Sequence, residues 1–405
     1  MLTCSHFASL PETNLTGQLT DLERFLAICR GDTPDYVPIF GFPGAPGMSD
    51  GAMRKTHERL VATGMPSCVG GSSSLIFGNP ERESWRRYWG TTGPLTLDFG
   101  LAGGAQGFRT TRRFENGFVI IESESGEITR QVVENDVTYS MPEFVRYPVR
   151  DRESWEFYIE RTRPRRVMSR EDMETNCRRY DKRDRPLCVG AGSTYGHIRG
   201  LMGTEGASVT LIEDPELAHD IIGTGLMYHR EFVFPLIERL RPEIVQLGED
   251  LCFNHGMLLS PRHFREFCGQ YYREVCDCAF ANGAEIVAID TDGNAMEFTG
   301  VAAEYGVNAM FPYEVKAGND LFELRQKHPG FVFFGWLEKE VANEGNESLI
   351  EPEISSKVPQ LLQRGRYFPN GDHGIQPPVT FRNLCRFMTL LHEVCGNPEG
   401  EFPRV

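Results

Sequence analysis

Apolar positions in the second half of the chain fall into short unbroken runs, and each run ends in glycine or polar residues. Residues 186–191, 243–247, 285–289, 307–311, 331–334 and 367–368 follow this pattern. Such runs read as strands buried on both faces, the signature of a parallel sheet covered by helices. Roughly twenty to forty residues separate successive runs after position 243, the length of one β/α step. Residues 260–281 supply a helix between two of them, with Ser260 as N-cap, Pro261 at the first helical position and Asn282-Gly283 as the stop. Residues 215–240 form a second helical segment, with an apolar stripe of Leu217, Ile221, Ile222, Leu226, Phe232, Phe234 and Ile237. The pattern predicts an α/β chain built of successive parallel β/α steps.

The first half is less regular. Residues 1–16 show no period and read as a loose arm. Leu22, Phe25, Leu26 and Cys29 recur at helical spacing over residues 19–29. A turn then feeds a short strand ending at Gly41, and the proline- and glycine-rich residues 42–47 form a shaped loop at its end. Residues 51–165 change character, with Trp85, Trp89 and Trp155, many arginines, and alternating runs such as residues 118–121. Antiparallel hairpins are expected over 109–140, with residues 115–117 (Glu-Asn-Gly) as one turn. The whole of 1–405 is taken as one barrel domain carrying a β-rich insertion at 80–150. The charged residues 161–185 read as a solvated helix or loop.

With 405 residues the chain is long enough for one barrel with insertions or for two domains. Its formal charge of −15 argues against a nucleic-acid or anionic-membrane partner, since either needs a basic face. No apolar run is long enough for a transmembrane helix, and residues 1–6 lack the charged segment and apolar core of a secretory signal. The 11 cysteines are scattered, so reduced thiols and a cytoplasmic location are expected. Cys268 and Cys276 read as small hydrophobes within the 260–281 helix and Cys278 as a spare thiol on another face.

The chemistry lies at the ends of the runs. Glu249, Asp250, Asp290, Asp292, Glu314, Asp372 and His373 all follow apolar strands, and in a parallel barrel they converge on one mouth. Singly, each is an ordinary turn or cap residue; together they can share protons or hold a divalent cation such as zinc. Asp290, Asp292 and His373 are the candidate catalytic residues, and Asp290, Asp292, Asp372 and His373 the candidate metal ligands. Tyr195, His197, Glu249, Asp250, Asn294, Tyr313 and Glu314 are candidates for substrate binding. A metal-free mouth that hydrogen-bonds a polar small molecule stands as the alternative.

Four stretches carry a family resemblance: residues 31–40 (GDTPDYVPIF), 213–219 (EDPELAH), 259–267 (LSPRHFREF) and 365–374 (GRYFPNGDHG). In this order they resemble the uroporphyrinogen decarboxylase superfamily, which implies a distorted (β/α)8 TIM-like barrel. That family holds decarboxylases and methyltransferases that pass a methyl group between a corrinoid and another carrier. The decarboxylases have an arginine-rich loop after the first strand, whereas residues 41–47 here hold no basic residue. The thiol methyltransferases bind zinc through a His-x-Cys pair and a further Cys, where this chain has Asp290-Thr-Asp292 and Asp372-His373, an oxygen-rich set less suited to thiolate activation. The resemblance therefore implies a cobalamin-dependent methyltransferase with a small-molecule substrate and a corrinoid, free or on a corrinoid-binding protein. A porphyrinogen decarboxylase and a non-catalytic ligand-binding barrel are the alternatives, and a homodimer is compatible with either.

Overall fold

The structure is a computed structural model and describes residues 19–41, 54–70, 81–100, 102–104, 107–132 and 142–405. The shaped loop expected at 42–47 and the arm at 1–16 lie outside the described residues. Nine short parallel strands build the barrel: β1 (Ile39–Phe40), β2 (Thr91–Thr92), β3 (Leu95–Thr96), β4 (Leu187–Gly190), β5 (Ile244–Gly248), β6 (Ile286–Thr291), β7 (Ala309–Pro312), β8 (Val332–Leu337) and β9 (Tyr367–Gly371). Seven form one sheet in the order β9-β8-β7-β6-β5-β4-β3. β1 pairs in parallel with β2, which runs straight on into β3, while the Asn370 amide donates to the Phe40 carbonyl at 2.7 Å and brings β1 against β9. The seven-stranded sheet curls into a half-barrel, with the β1-β2 pair set against its β9 edge.

Alternation along the strands sorts the side chains. Phe40, Cys188, Ile244, Ile286, Ala288, Ala309, Phe334 and Phe368 form the inner core, and Phe25 and Ile28 of the helix Asp21–Arg30 plug its floor. That helix is fixed by a capping box between Thr20 and Glu23 and stopped by Gly31 at φ 88°. Val245, Leu247, Val287 and Ile289 face the other way, into the larger core between sheet and helices. Ser260 caps the next helical stretch as the sequence indicates, accepting from His263 N at 3.2 Å, and the stretch runs on to Ala281 through a π-helical turn at Phe264–Cys268.

Between β3 and β4, residues Thr110–Glu115, Phe118–Ser123, Ile128–Val132 and Glu143–Arg146 make a separate antiparallel sheet. Its first turn is the expected one, with Asn116 at φ 50° and Gly117 at φ 81°. Residues 164–166, within the stretch read as solvated, pair with residues 102–104 as a short ladder. Cys268 and Cys276 are buried and Cys278 half-buried; the cysteines among the described residues are free. Among the described residues no helix is long and apolar enough to cross a membrane.

Candidate functional site

β6 positions the centre of the site. Ile286 and Ala288 point into the barrel, so period-two alternation sends Asp290 inward at the C-terminal mouth. Its backbone carbonyl accepts from Glu249 N at 2.9 Å. Its carboxyl has no hydrogen-bond partner among the described residues. Burial, and then the charges of Asp292 and Asp250, push the Asp290 pKa up to about 8, with His373 pulling the other way. Both causes favour the protonated acid at neutral pH.

Asp292 takes the opposite state. Its side chain is 45% exposed, and the His373 Nε2 atom lies 3.7 Å from its carboxylate. Burial works against its charge, but His373, Lys339 and Arg199 outweigh it and hold the pKa below the usual range. Burial likewise disfavours a charged His373, yet Asp292 raises the imidazole above its ordinary value. His373 Nδ1 accepts from Gly374 N at 2.8 Å, so the neutral ring carries its proton on Nε2, facing Asp292. Two carboxylates one residue apart are thus held in different protonation states, the arrangement that assigns acid and base.

The other candidates divide. Asp250 stands at the mouth, 54% exposed, and pairs with Arg199 at 3.1 Å. His197 is half-buried, and burial with the neighbouring His229 lowers its pKa. Glu314 accepts from Gly293 N at 2.9 Å and lies 3.9 Å from the Lys339 ammonium. Arg199 and Lys339 belong to the site and are absent from the sequence-derived set; nothing in their spacing distinguishes them from solvated charges.

The remaining candidates hold the scaffold instead. Tyr195 is buried in the outer core. Tyr313 is buried there too, its hydroxyl 3.0 Å from Thr299 Oγ1. Asn294 donates to the Ala317 carbonyl and accepts from Met296 N. Asp372 is buried, with its carboxylate accepting from Val315 N at 2.9 Å and Lys339 N at 3.0 Å.

Glu249 faces away from the barrel, as Leu247 does, and accepts from Thr194 N at 2.6 Å, Thr194 Oγ1 at 2.7 Å and Gly196 N at 3.0 Å. It caps the helix Tyr195–Glu213. Burial raises its pKa despite these donors. Glu249→Ala leaves the two amides without an acceptor in the core, so a loss of about 3 kcal/mol is expected, with Glu249→Gln losing less; thermal melting of both variants measures it. Lost turnover with unchanged melting would return Glu249 to the mouth.

The metal set does not assemble. Both oxygens of Asp372 are taken up by backbone amides, and among the described residues no three or more His, Cys, Asp and Glu side chains are grouped to hold an ion. Among the described residues the donor set does not fit a divalent metal.

A family model described as uroporphyrinogen decarboxylase (URO-D) matches residues 170–394, a span containing Asp250, Asp290, Asp292 and His373. Among solved structures, a methyltransferase from Methanosarcina mazei aligns over 93% of this chain and 98% of its own, with a TM-score of 0.56 and 13% identity. That likeness speaks to the fold. Among curated proteins none matches this chain in sequence.

Proposed function

From the premise that this chain belongs to the uroporphyrinogen decarboxylase family, we propose that it is an enzyme of the methyltransferase branch. It moves a methyl group between a small molecule at the barrel mouth and a corrinoid, which enters as co-substrate, free or on a partner protein. The observation that carries this reading is the inward-facing Asp290 carboxyl, without a hydrogen-bond partner among the described residues, two positions from an Asp292 set against His373.

A heteroatom that gives up a methyl group leaves as an anion unless it is protonated, and a protonated Asp290 would supply that proton as general acid. His373 Nε2 lies 3.7 Å from the Asp292 carboxylate, a pair that can exchange a proton with solvent at the mouth. The corrinoid would supply the cobalt centre that takes up or gives the methyl group. With Asp250 and Asp292 about half exposed, the mouth is open to a carrier arriving from solvent. No step is routed through a divalent metal.

A decarboxylase would use the same acid to protonate a carbanion, but a polycarboxylate needs cations to hold it. Arg199 is set against Asp250, and residues 41–47 carry no basic residue. The test is parallel turnover of cob(I)alamin, with a panel of small methyl ethers, methyl thioethers and methylamines as methyl donors, and of uroporphyrinogen. Formation of methylcobalamin with at least one donor and no porphyrinogen turnover is expected. Decarboxylation of uroporphyrinogen would overturn the proposal.

A further inference from the structure

Two glycines, Gly190 and Gly248, lie bare on the inner wall of the barrel next to Asp290. Cys188 faces inward on β4 and Ile244 on β5, so alternation places Gly190 and Gly248 inward as well. Past the end of β4 the ladder continues: Ala191 N donates to Gln246 O at 2.7 Å and Gly248 N to Gly192 O at 2.9 Å. Gly190, Gly192 and Gly248 are all exposed although they stand within the barrel ring. Gly248 pairs in register with Asp290.

Packing does not account for either Gly190 or Gly248. A Cβ built on Gly190 or Gly248 meets nothing within 4 Å, and neither residue has the positive φ that would require glycine. Glycine inside a strand costs about 0.5–1 kcal/mol relative to alanine and marks places where a ligand comes close to the backbone. Inward positions on neighbouring strands are filled, by Ala288, Ala309, Phe311 and Phe334. The Asp290 carboxyl, in register with Gly248 and without a hydrogen-bond partner among the described residues, faces the same space.

Building on the methyltransferase reading above, we infer that Gly190 and Gly248 floor a recess that receives the body of the substrate, and that this body is flat and uncharged. Adjacent strands lie about 4.8 Å apart, so two bare neighbours offer a slot about one ring wide. Asp250, Asp290 and Asp292 rim it, and Arg199 and Lys339 are each already set against a carboxylate. An anion placed in the slot meets acid groups and no unpaired cation among these residues. A neutral ring lies on bare peptide, its heteroatom reaching the Asp290 proton.

The experiment uses Gly190→Val, Gly248→Val and the double variant of the full chain, with methoxybenzene, phenol and benzoate as probes in ligand-observed NMR. Melting temperatures within about 2 °C of wild type are expected, since the added side chains enter open space. Wild type is expected to bind methoxybenzene and phenol but not benzoate, and the double variant to lose at least about tenfold in affinity for both. A large drop in melting temperature, equal binding by the double variant, no binding of the neutral rings by wild type, or binding of benzoate as well as phenol would each overturn the inference. Ring binding that the variants lose, without methyl transfer to cob(I)alamin by wild type, would leave the recess standing and sink the methyltransferase reading. Methyl transfer without ring binding would do the reverse.

Discussion

Asp290→Asn is expected to lower turnover by about 10²–10⁴-fold while leaving substrate affinity nearly unchanged. Asparagine has the size of the protonated acid and its neutrality, so the mouth keeps its shape and charge; what it loses is the transferable proton. The wild-type rate should fall as pH rises through about 8, where the acid form disappears, and any residual rate of the variant should lack that limb. Stability gives a second readout. The folded pKa of about 8 lies above the unfolded value of about 3.9. Between those values the unfolded chain has released the proton that the folded chain keeps, so this group makes folding less favourable as pH climbs. The cost is on the order of a few kcal/mol by pH 8, and Asp290→Asn removes it. Melting temperatures at pH 5, 7 and 9 should show the variant gaining on wild type across the window. A constant difference would mean that Asp290 is ionised in the folded protein.

The strand ends were legible in the sequence, and the direction of each side chain at them was not. Residues 244–247 and 286–289 are apolar on both faces or nearly so, hence nothing in the pattern tells inward from outward. Shifting by one position moves a carboxylate from the mouth to the helix layer, which is the difference between Asp250 and Glu249. Asp372 was hidden by distance in the chain: its amide partners, Val315 and Lys339, are 57 and 33 residues away. The hairpin at residues 116–117 could be read because Asn-Gly tolerates the positive φ angles the turn needs. The short strand β1 was legible from the turn before it, whereas β2 and β3 are two residues each, too short to show any period. Gly190 and Gly248 look in sequence like ordinary strand-end glycines; only the empty space above them sets them apart.

Breaking the Asp292–His373 pair should slow turnover by about 10²-fold and move the pH profile in a direction fixed by which partner is removed. Asp292→Asn deletes the charge that raises both His373 and, after burial, Asp290. Both pKa values should fall, carrying the alkaline limb of the rate to lower pH, though Asp290 stays above an ordinary carboxyl because its burial remains. His373→Ala deletes the group that pulls Asp290 down, so the limb should move up while the rate falls. The effect on stability is small, about 1 kcal/mol or less, since Asp292 is 45% exposed. His373 is raised, so its share is present below the unfolded histidine value near 6.5 and is lost as pH rises through the folded one. Asp292 is lowered, so its share is present above the unfolded carboxyl value near 3.9 and is lost as pH falls through the folded one. Histidine titration followed by NMR, together with rate profiles of both variants, measures these shifts. If the two limbs move together, or neither moves, Asp292 and His373 do not set the protonation of Asp290, and the acid must be tuned by burial alone.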